Sequence, residues 1–444
     1  MLRGFYFLIL CILVSSCATT NSNIIYTEWS NFNKELEIHE GIISQHATRV
    51  NYKKNGKTIA KIILSEPVLV VQAEQKEEWG YYQFPVISKT RDGFLIVEWQ
   101  MQEDSHKSYG VKTDRDYNPM MSKNGGKTWV PQDRSYDAVR RGNNVVLRDG
   151  KHLQFKTPAA KRISDYKSFP KPIAIRGEQC FFLMDSLPDD LQGLYFTCQS
   201  QNEGIKMIHS KLYDPSYLRY SIDGLMPIVW WGNIKELSDN TLVAGVYPTY
   251  YLDENGEVSN GSVSFYQSRD YGHSWNVISK IPFVKDGIAN VIGNNSFEEP
   301  AFEVLNDSTF ICVMRSGATS PLYRVFSYDK GLTWTKPEPF TPNGVRPVLM
   351  KLKNGTLVLV SGRPGIQVRL SLDGGHNWTE AIDMIPFMNK DGSFTRDVSC
   401  GYASIIEADE NSFYIVYSDF TSRNRKNEAR KTIWCRKINV KTKH

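Results

Sequence analysis

Several features common in proteins are missing from this 444-residue chain, and each absence narrows what it can be. No long helical periodicity runs through it, which leaves short strands as the building material. No block of Lys and Arg occurs; the formal charge of +5 is spread along the chain, so there is no nucleic-acid footprint. Gly-rich phosphate loops, zinc-type spacings and EF-hand loops are also lacking, so no cofactor is expected, although scattered loop aspartates leave calcium open. Cysteine is sparse. Cys180, Cys198, Cys312, Cys400 and Cys435 show no metal-like spacing and read as buried thiols, with a Cys180–Cys198 bridge as the alternative in an oxidising compartment. The apolar run from Phe5 to Val14 falls short of the roughly 20 residues a membrane-spanning helix needs.

That run does fit a signal peptide, with the basic start Met1-Leu-Arg-Gly before it and Ser15-Ser16-Cys17 after it. Val-Ser-Ser-Cys resembles a bacterial lipobox, which implies cleavage before Cys17 and lipidation of its thiol. No Asp follows Cys17, so a Gram-negative cell would send the product to the outer membrane rather than retain it. The expected organisation is a signal peptide over 1–16, a lipidated tether over 17–23 and one domain over 24–444. Residues 24–78 would form either a lead-in element or an outer strand that closes a ring. High aromatic content, at 12%, with 31 Gly and 20 Pro, suits many short strands joined by tight turns.

One short pattern recurs four times: Ser122-Lys-Asn-Gly-Gly-Lys-Thr-Trp129, Ser268-Arg-Asp-Tyr-Gly-His-Ser-Trp275, Ser327-Tyr-Asp-Lys-Gly-Leu-Thr-Trp334 and Ser371-Leu-Asp-Gly-Gly-His-Asn-Trp378. Asp or Asn caps a turn, Gly takes a positive φ and Trp packs back beneath the strands. The last three copies are one repeat apart, whereas the gap from 122 to 268 holds one or two repeats without a clear copy, with Ser210-Lys-Leu-Tyr-Asp-Pro as a candidate remnant. The pattern resembles the Asp-box of the sialidase superfamily. That resemblance implies an all-β chain folded as a six-bladed β-propeller, acting as a monomer on a glycan substrate.

Segments of the chain align on one another: Gln83 to Glu98, Glu299 to Arg315, Arg346 to Arg363 and Tyr402 to Asp419. Glu299, Arg346 and Tyr402 fall just before the first strand, and Arg315, Arg363 and Asp419 at the end of the second. In a propeller such positions converge on one mouth of the central channel. Taken residue by residue, the resemblance makes Glu299 a general base and Tyr402 the nucleophile. It makes Asp104 the acid/base on a loop over the pocket, and Arg315 and Arg363 the arginines that bind a substrate carboxylate. A neutral phenol avoids the repulsion that a carboxylate nucleophile would meet from a sugar bearing its own carboxylate, and sialidases are the tyrosine exception among retaining glycosidases. The phenol needs a carboxylate to take its proton, since its free pKa lies near 10.

Two departures stand out. Gln83, in Gln83-Phe84-Pro85, occupies the place of the family's first arginine, and Asp419 replaces the usual brace for that arginine. Arg346 has no counterpart role and is a candidate substrate contact. Three readings follow: a sialidase-like exo-glycosidase for an acidic sugar, an arabinan-type exo-hydrolase using Glu299 and Asp104 as paired carboxylates, or a glycan-binding propeller without catalysis. Strand alternation sends Glu298 away from Glu299, and His106 reads as a solvated loop residue.

Overall fold

The computed structural model describes residues 37–41, 49–54, 57–90, 92–109, 115, 117–132, 144–200, 204–283, 296–318, 320–385 and 398–442. The signal peptide, Cys17 and the tether lie outside them. Among the described residues the regular structure is strand and short 3₁₀ turn.

Most strands are stacked as antiparallel meanders. One sheet runs Tyr81–Lys89, Leu95–Met101, Met120–Ser122, Val130–Pro131; another Glu298–Val304, Phe310–Arg315, Leu322–Ser327, Glu338–Pro339; a third Val345–Lys351, Leu357–Gly362, Ile366–Ser371, Ile382–Asp383. A 13-stranded sheet contains two more such runs: Asn144–Val146, His152–Phe155, Leu194–Ser200, Gly204–Tyr213, and then Trp231–Glu236, Leu242–Tyr251, Ser262–Ser268, Ser274–Ile281. The two join in parallel where Lys211 to Tyr213 lie beside Ser274 to Asn276. Ser210, read as the remnant of a decayed turn, is therefore strand, and its hydroxyl donates to the carbonyl of Gly272.

The last sheet joins the two ends of the described chain. Ala403–Asp409, Ser412–Asp419 and Thr432–Thr442 form a meander, and Val68–Gln72 pairs with residues 432–435 as its outer strand. Lys57–Leu64 then pairs with residues 438–442 of the same long strand.

Adjacent sheets pack face to face, so middle strands are covered on both sides. Every residue of Leu357–Gly362 and Ser412–Asp419 is buried, which explains why these strands read as continuous apolar runs rather than as alternations. Phe302, Phe310, Cys312 and Met314 pack against Val243, Val263 and Phe265, while Ile311 and Val313 of the same strand pack against Leu349, Leu357 and Leu359. All five described cysteines are free thiols, so the Cys180–Cys198 bridge is not formed.

The four repeated turns are built alike. Ser122, Ser268, Ser327 and Ser371 each accept the amide of the Gly four residues on at 2.8 Å. Asn124, Asp270, Asp329 and Asp373 each accept a backbone amide four residues on at 2.8–3.0 Å. The glycines at 126, 272, 331 and 375 have φ between +78° and +93°, a region that costs an L-residue about 1–2 kcal/mol. Trp275 and Trp378 are fully buried beneath these turns; Trp129 and Trp334 are half-buried.

Candidate active site

Tyr402 and Glu299, 103 residues apart in sequence, meet side chain to side chain: the phenol donates to Glu299 Oε1. Arg315 Nη1 donates to the same oxygen at 3.2 Å, and the backbone amide of Arg346 donates to Oε2 at 2.7 Å. The Glu299 carboxylate is thus held by three donors from three different sheets while being 1% exposed. Arg315 Nε is fixed in turn on the carbonyl of Gly317 at 3.1 Å.

The backbone that delivers these groups is unusual at matching places. Glu299 and Arg346, each followed by proline, sit at φ +50° and +47°, and the strand register skips at both, between Glu298 and Ala301 and between Val345 and Val348. Such bulges re-aim side chains at the edge of a sheet. Phe84, before Pro85, does the same at φ +50° in the Tyr81–Lys89 strand. The three X-Pro bulges therefore correspond, and Phe84 is the counterpart of Glu299 and Arg346; it packs edge-on against Tyr402 at 4.8 Å.

The bulge also corrects the expectation for Glu298. Simple alternation fails across it, and Arg315 Nη1 lies 3.9 Å from Glu298 as well as 3.2 Å from Glu299. Both carboxylates face one guanidinium.

Arg363 is brought to the site by a close approach of two backbones. A Cβ on Gly362 would lie 1.9 Å from the carbonyl oxygen of Gly401, and one on Gly401 would lie 2.9 Å from Arg363 Cγ, so both glycines are required and Arg363 rests beside the residue preceding Tyr402. Arg346 places its guanidinium 5.9 Å from the Tyr402 ring centre. Among the described residues neither Arg346 nor Arg363 has an acidic side chain in ion-pair contact, whereas Arg315 has two. Among the described residues, then, Arg315 is the neutralised cation, and Arg346 and Arg363 lack an acidic partner.

Electrostatics keep the resting groups in defined states. Burial first, and then the Glu299 charge, push the Tyr402 phenol well above its ordinary value, against the pull of Arg315 and Arg346. Burial opposes the charge on Arg315, but Glu299, then Tyr402 and Glu298, hold it above the usual arginine value. The Glu298 carboxyl is raised, chiefly by burial, with Arg315 acting against the shift.

Asp104 is exposed on the loop after Leu95–Met101 and accepts the indole N–H of Trp79 at 3.0 Å. Trp79 packs edge-on against Phe84 and Phe420 at 6.4 and 6.3 Å, so an aromatic row, Trp79–Phe84–Tyr402, links the Asp104 loop to the phenol. His106 does not stand free in solvent; its Nε2 lies 3.4 Å from Asp223.

Two further expected contacts take other positions. Gln83 is fully buried and its amide has no hydrogen-bond partner among the described residues. Asp419 spends its carboxylate locally: Oδ1 accepts the amide and hydroxyl of Thr421 at 2.7 Å, and Oδ2 the hydroxyl of Ser422 at 3.2 Å. It caps the following turn rather than bracing a guanidinium. Sequence reasoning missed Trp79, Phe84 and Tyr247. Tyr247, its phenol raised by burial and then by Glu299, stands in the field of both Glu299 and Tyr402. Only the recurring X-Pro before a strand, shared by Phe84, Glu299 and Arg346, was a usable signal.

Residues 231–415 match the BNR repeat-like domain family. No curated protein matches the chain. A protein of unknown function from Dyadobacter fermentans is similar in structure, with TM-score 0.55 and 18% identity over 86% of this chain and 99% of that one, a shared fold. The Hadza microbial sialidase Hz136 (TM-score 0.46, 15% identity, 89% of this chain and 72% of that one) and the Penicillium chrysogenum α-L-arabinanase complexed with arabinobiose (0.46, 13%, 84% and 98%) are also similar.

Proposed function

We propose that this chain is a sialidase-like exo-glycoside hydrolase, built as a six-bladed β-propeller, that removes a terminal sugar carrying a carboxylate at its anomeric carbon. Successive four-strand runs support the propeller reading. The observation that carries the catalytic reading is the buried contact of Tyr402 with Glu299, flanked by Arg315, Arg346 and Arg363. A phenol donating to a carboxylate is poised to lose its proton as it attacks. Two guanidiniums without an acidic partner among the described residues suit an anionic substrate, since their planar forks match two carboxylate oxygens.

In this reading Glu299 takes the Tyr402 proton as the phenol oxygen bonds to the anomeric carbon, while Asp104 protonates the departing oxygen. Asp104 then takes a proton from water, which attacks the same carbon, and Tyr402 leaves and recovers its proton from Glu299. Arg315 balances Glu299 and the developing phenolate; Arg346 and Arg363 hold the substrate carboxylate. The paired-carboxylate alternative is disfavoured because Glu299 already accepts three hydrogen bonds and is nearly inaccessible, poor traits in a nucleophile.

Lipidation at Cys17 would tether the domain to an outer membrane as a periplasmic or surface lipoprotein. The direct test is hydrolysis of a fluorogenic sialoside. Turnover by wild type and its loss in Tyr402→Phe support the reading; a protein inert towards sialosides yet active on neutral glycosides excludes it.

A further inference from the structure

We infer that Trp79 is the positioning residue for Asp104, and that it dictates which carboxyl oxygen carries the catalytic proton. The inference rests on the proposed role of Asp104. Two independent contacts fix the Asp104 loop on the turn before Tyr81–Lys89. At Gly80, φ +98°, a Cβ would lie 2.2 Å from the Gln102 carbonyl oxygen and 2.8 Å from the Asp104 amide, so the two backbones touch where only glycine fits. Next to it, the Trp79 indole N–H reaches Asp104 Oδ2 at 3.0 Å. The turn is itself tied down: Lys431 donates to the carbonyls of Glu78 and Tyr81, and Phe420 and Phe84 pack against the indole.

An indole nitrogen donates and cannot accept. While the contact persists, Oδ2 is committed as an acceptor whether or not the carboxyl is ionised, so the proton of the acid form resides on Oδ1. Trp79 thereby aims a single oxygen at the leaving group and leaves that same oxygen to receive a proton from water in the second step. Tyr109, whose phenol is raised by burial and then by Asp104, also faces this carboxylate. The nearby charged groups are Glu103, His106 with its partner Asp223, Lys107 on the same loop, and Glu77, Glu78 and Lys431 around the Trp79 turn.

Trp79→Phe removes the donor and keeps an aromatic ring, and Trp79→His keeps a ring N–H. Two measurements decide. The Asp104 carboxyl-carbon resonance, in protein labelled at that carbon and assigned through Asp104→Asn, should move in Trp79→Phe as the indole hydrogen bond is lost and return part-way in Trp79→His. This readout does not require turnover. On sialosides, Trp79→Phe should lose about 10-fold or more in kcat with alkyl leaving groups, change little with an activated aryl leaving group, and be partly rescued by Trp79→His. An unmoved Asp104 resonance, or equal losses on both leaving groups, overturns the inference. A shifted resonance in a protein that cleaves no sialoside leaves the contact established and removes the proposed reaction instead.

Discussion

Replacing Tyr402 by phenylalanine separates a structural phenol from a reactive one. Among the described residues the hydroxyl makes one hydrogen bond, to Glu299, whose carboxylate also accepts from Arg315 Nη1 at 3.2 Å and the Arg346 amide at 2.7 Å. If the hydroxyl only buttresses that carboxylate, its loss costs one hydrogen bond to a charged group, about 1.5–3 kcal/mol of stability, with modest effect on turnover. If its oxygen forms the glycosyl bond, the covalent route closes and kcat/KM falls by about 10³ or more, equivalent to at least about 4 kcal/mol in the transition state. Sialoside kinetics beside thermal unfolding of the same preparations discriminate the two. A fluorinated sialosyl fluoride should also add mass to the wild-type peptide containing Tyr402. Retention of more than about a tenth of wild-type kcat/KM, or a label on another peptide, would refute the assignment.

Other expectations follow from the same geometry. Glu299→Gln strips Arg315, whose side chain is 14% exposed, of its nearest counter-charge; a loss of about 2–4 kcal/mol is expected in chemical denaturation, softened because Glu298 remains at 3.9 Å. Arg346→Ala and Arg363→Ala should each lower kcat/KM on sialosides by about 10- to 100-fold while leaving thermal stability nearly unchanged, one charge-assisted contact apiece. Burial raises Glu298 above its usual carboxyl value, so its protonated form favours the fold: that contribution is present below about pH 4.5 and lost as pH rises through the raised value. Glu298→Gln should accordingly flatten the fall in melting temperature as pH rises above 4.5. Asp409, held down at about 2 by the Ser412 hydroxyl and by Lys437, contributes above its ordinary 3.8 and loses that contribution as pH falls towards 2; Asp409→Asn should match wild type in melting temperature at pH 2 and fall below it at pH 5.

Much of this architecture could be read directly. Each repeated turn needs one short hydroxyl, one capping carboxylate or amide and one glycine at fixed offsets, so local chemistry alone declares it. Tyr402 and Glu299 could be paired from the sequence because they fall at matching places in aligned segments, and the phenol does meet that carboxylate. What resisted reading depends on backbone geometry between residues. The bulge at Glu299 brings Glu298 to Arg315, and no alternation rule anticipates a register skip. Asp419 was assigned by position, yet Thr421 and Ser422 two and three residues on offer donors that capture its carboxylate first. The run of strands from 144 to 213 has no intact turn motif to mark it, and Ser210 misled because strand and turn share the same serine chemistry.

The C-terminal strand has a consequence for how the molecule comes into being. Thr432–Thr442 is sandwiched between Ser412–Asp419 on one edge and, on the other, Val68–Gln72 and Lys57–Leu64. These two strands leave the ribosome well before Thr432–Thr442 and must wait for it, with their edge groups unsatisfied until that partner is made. A polypeptide halted or clipped before residue 432 lacks the strand that joins these segments. Quality control would meet it with two bare strand edges rather than as a slightly shortened chain.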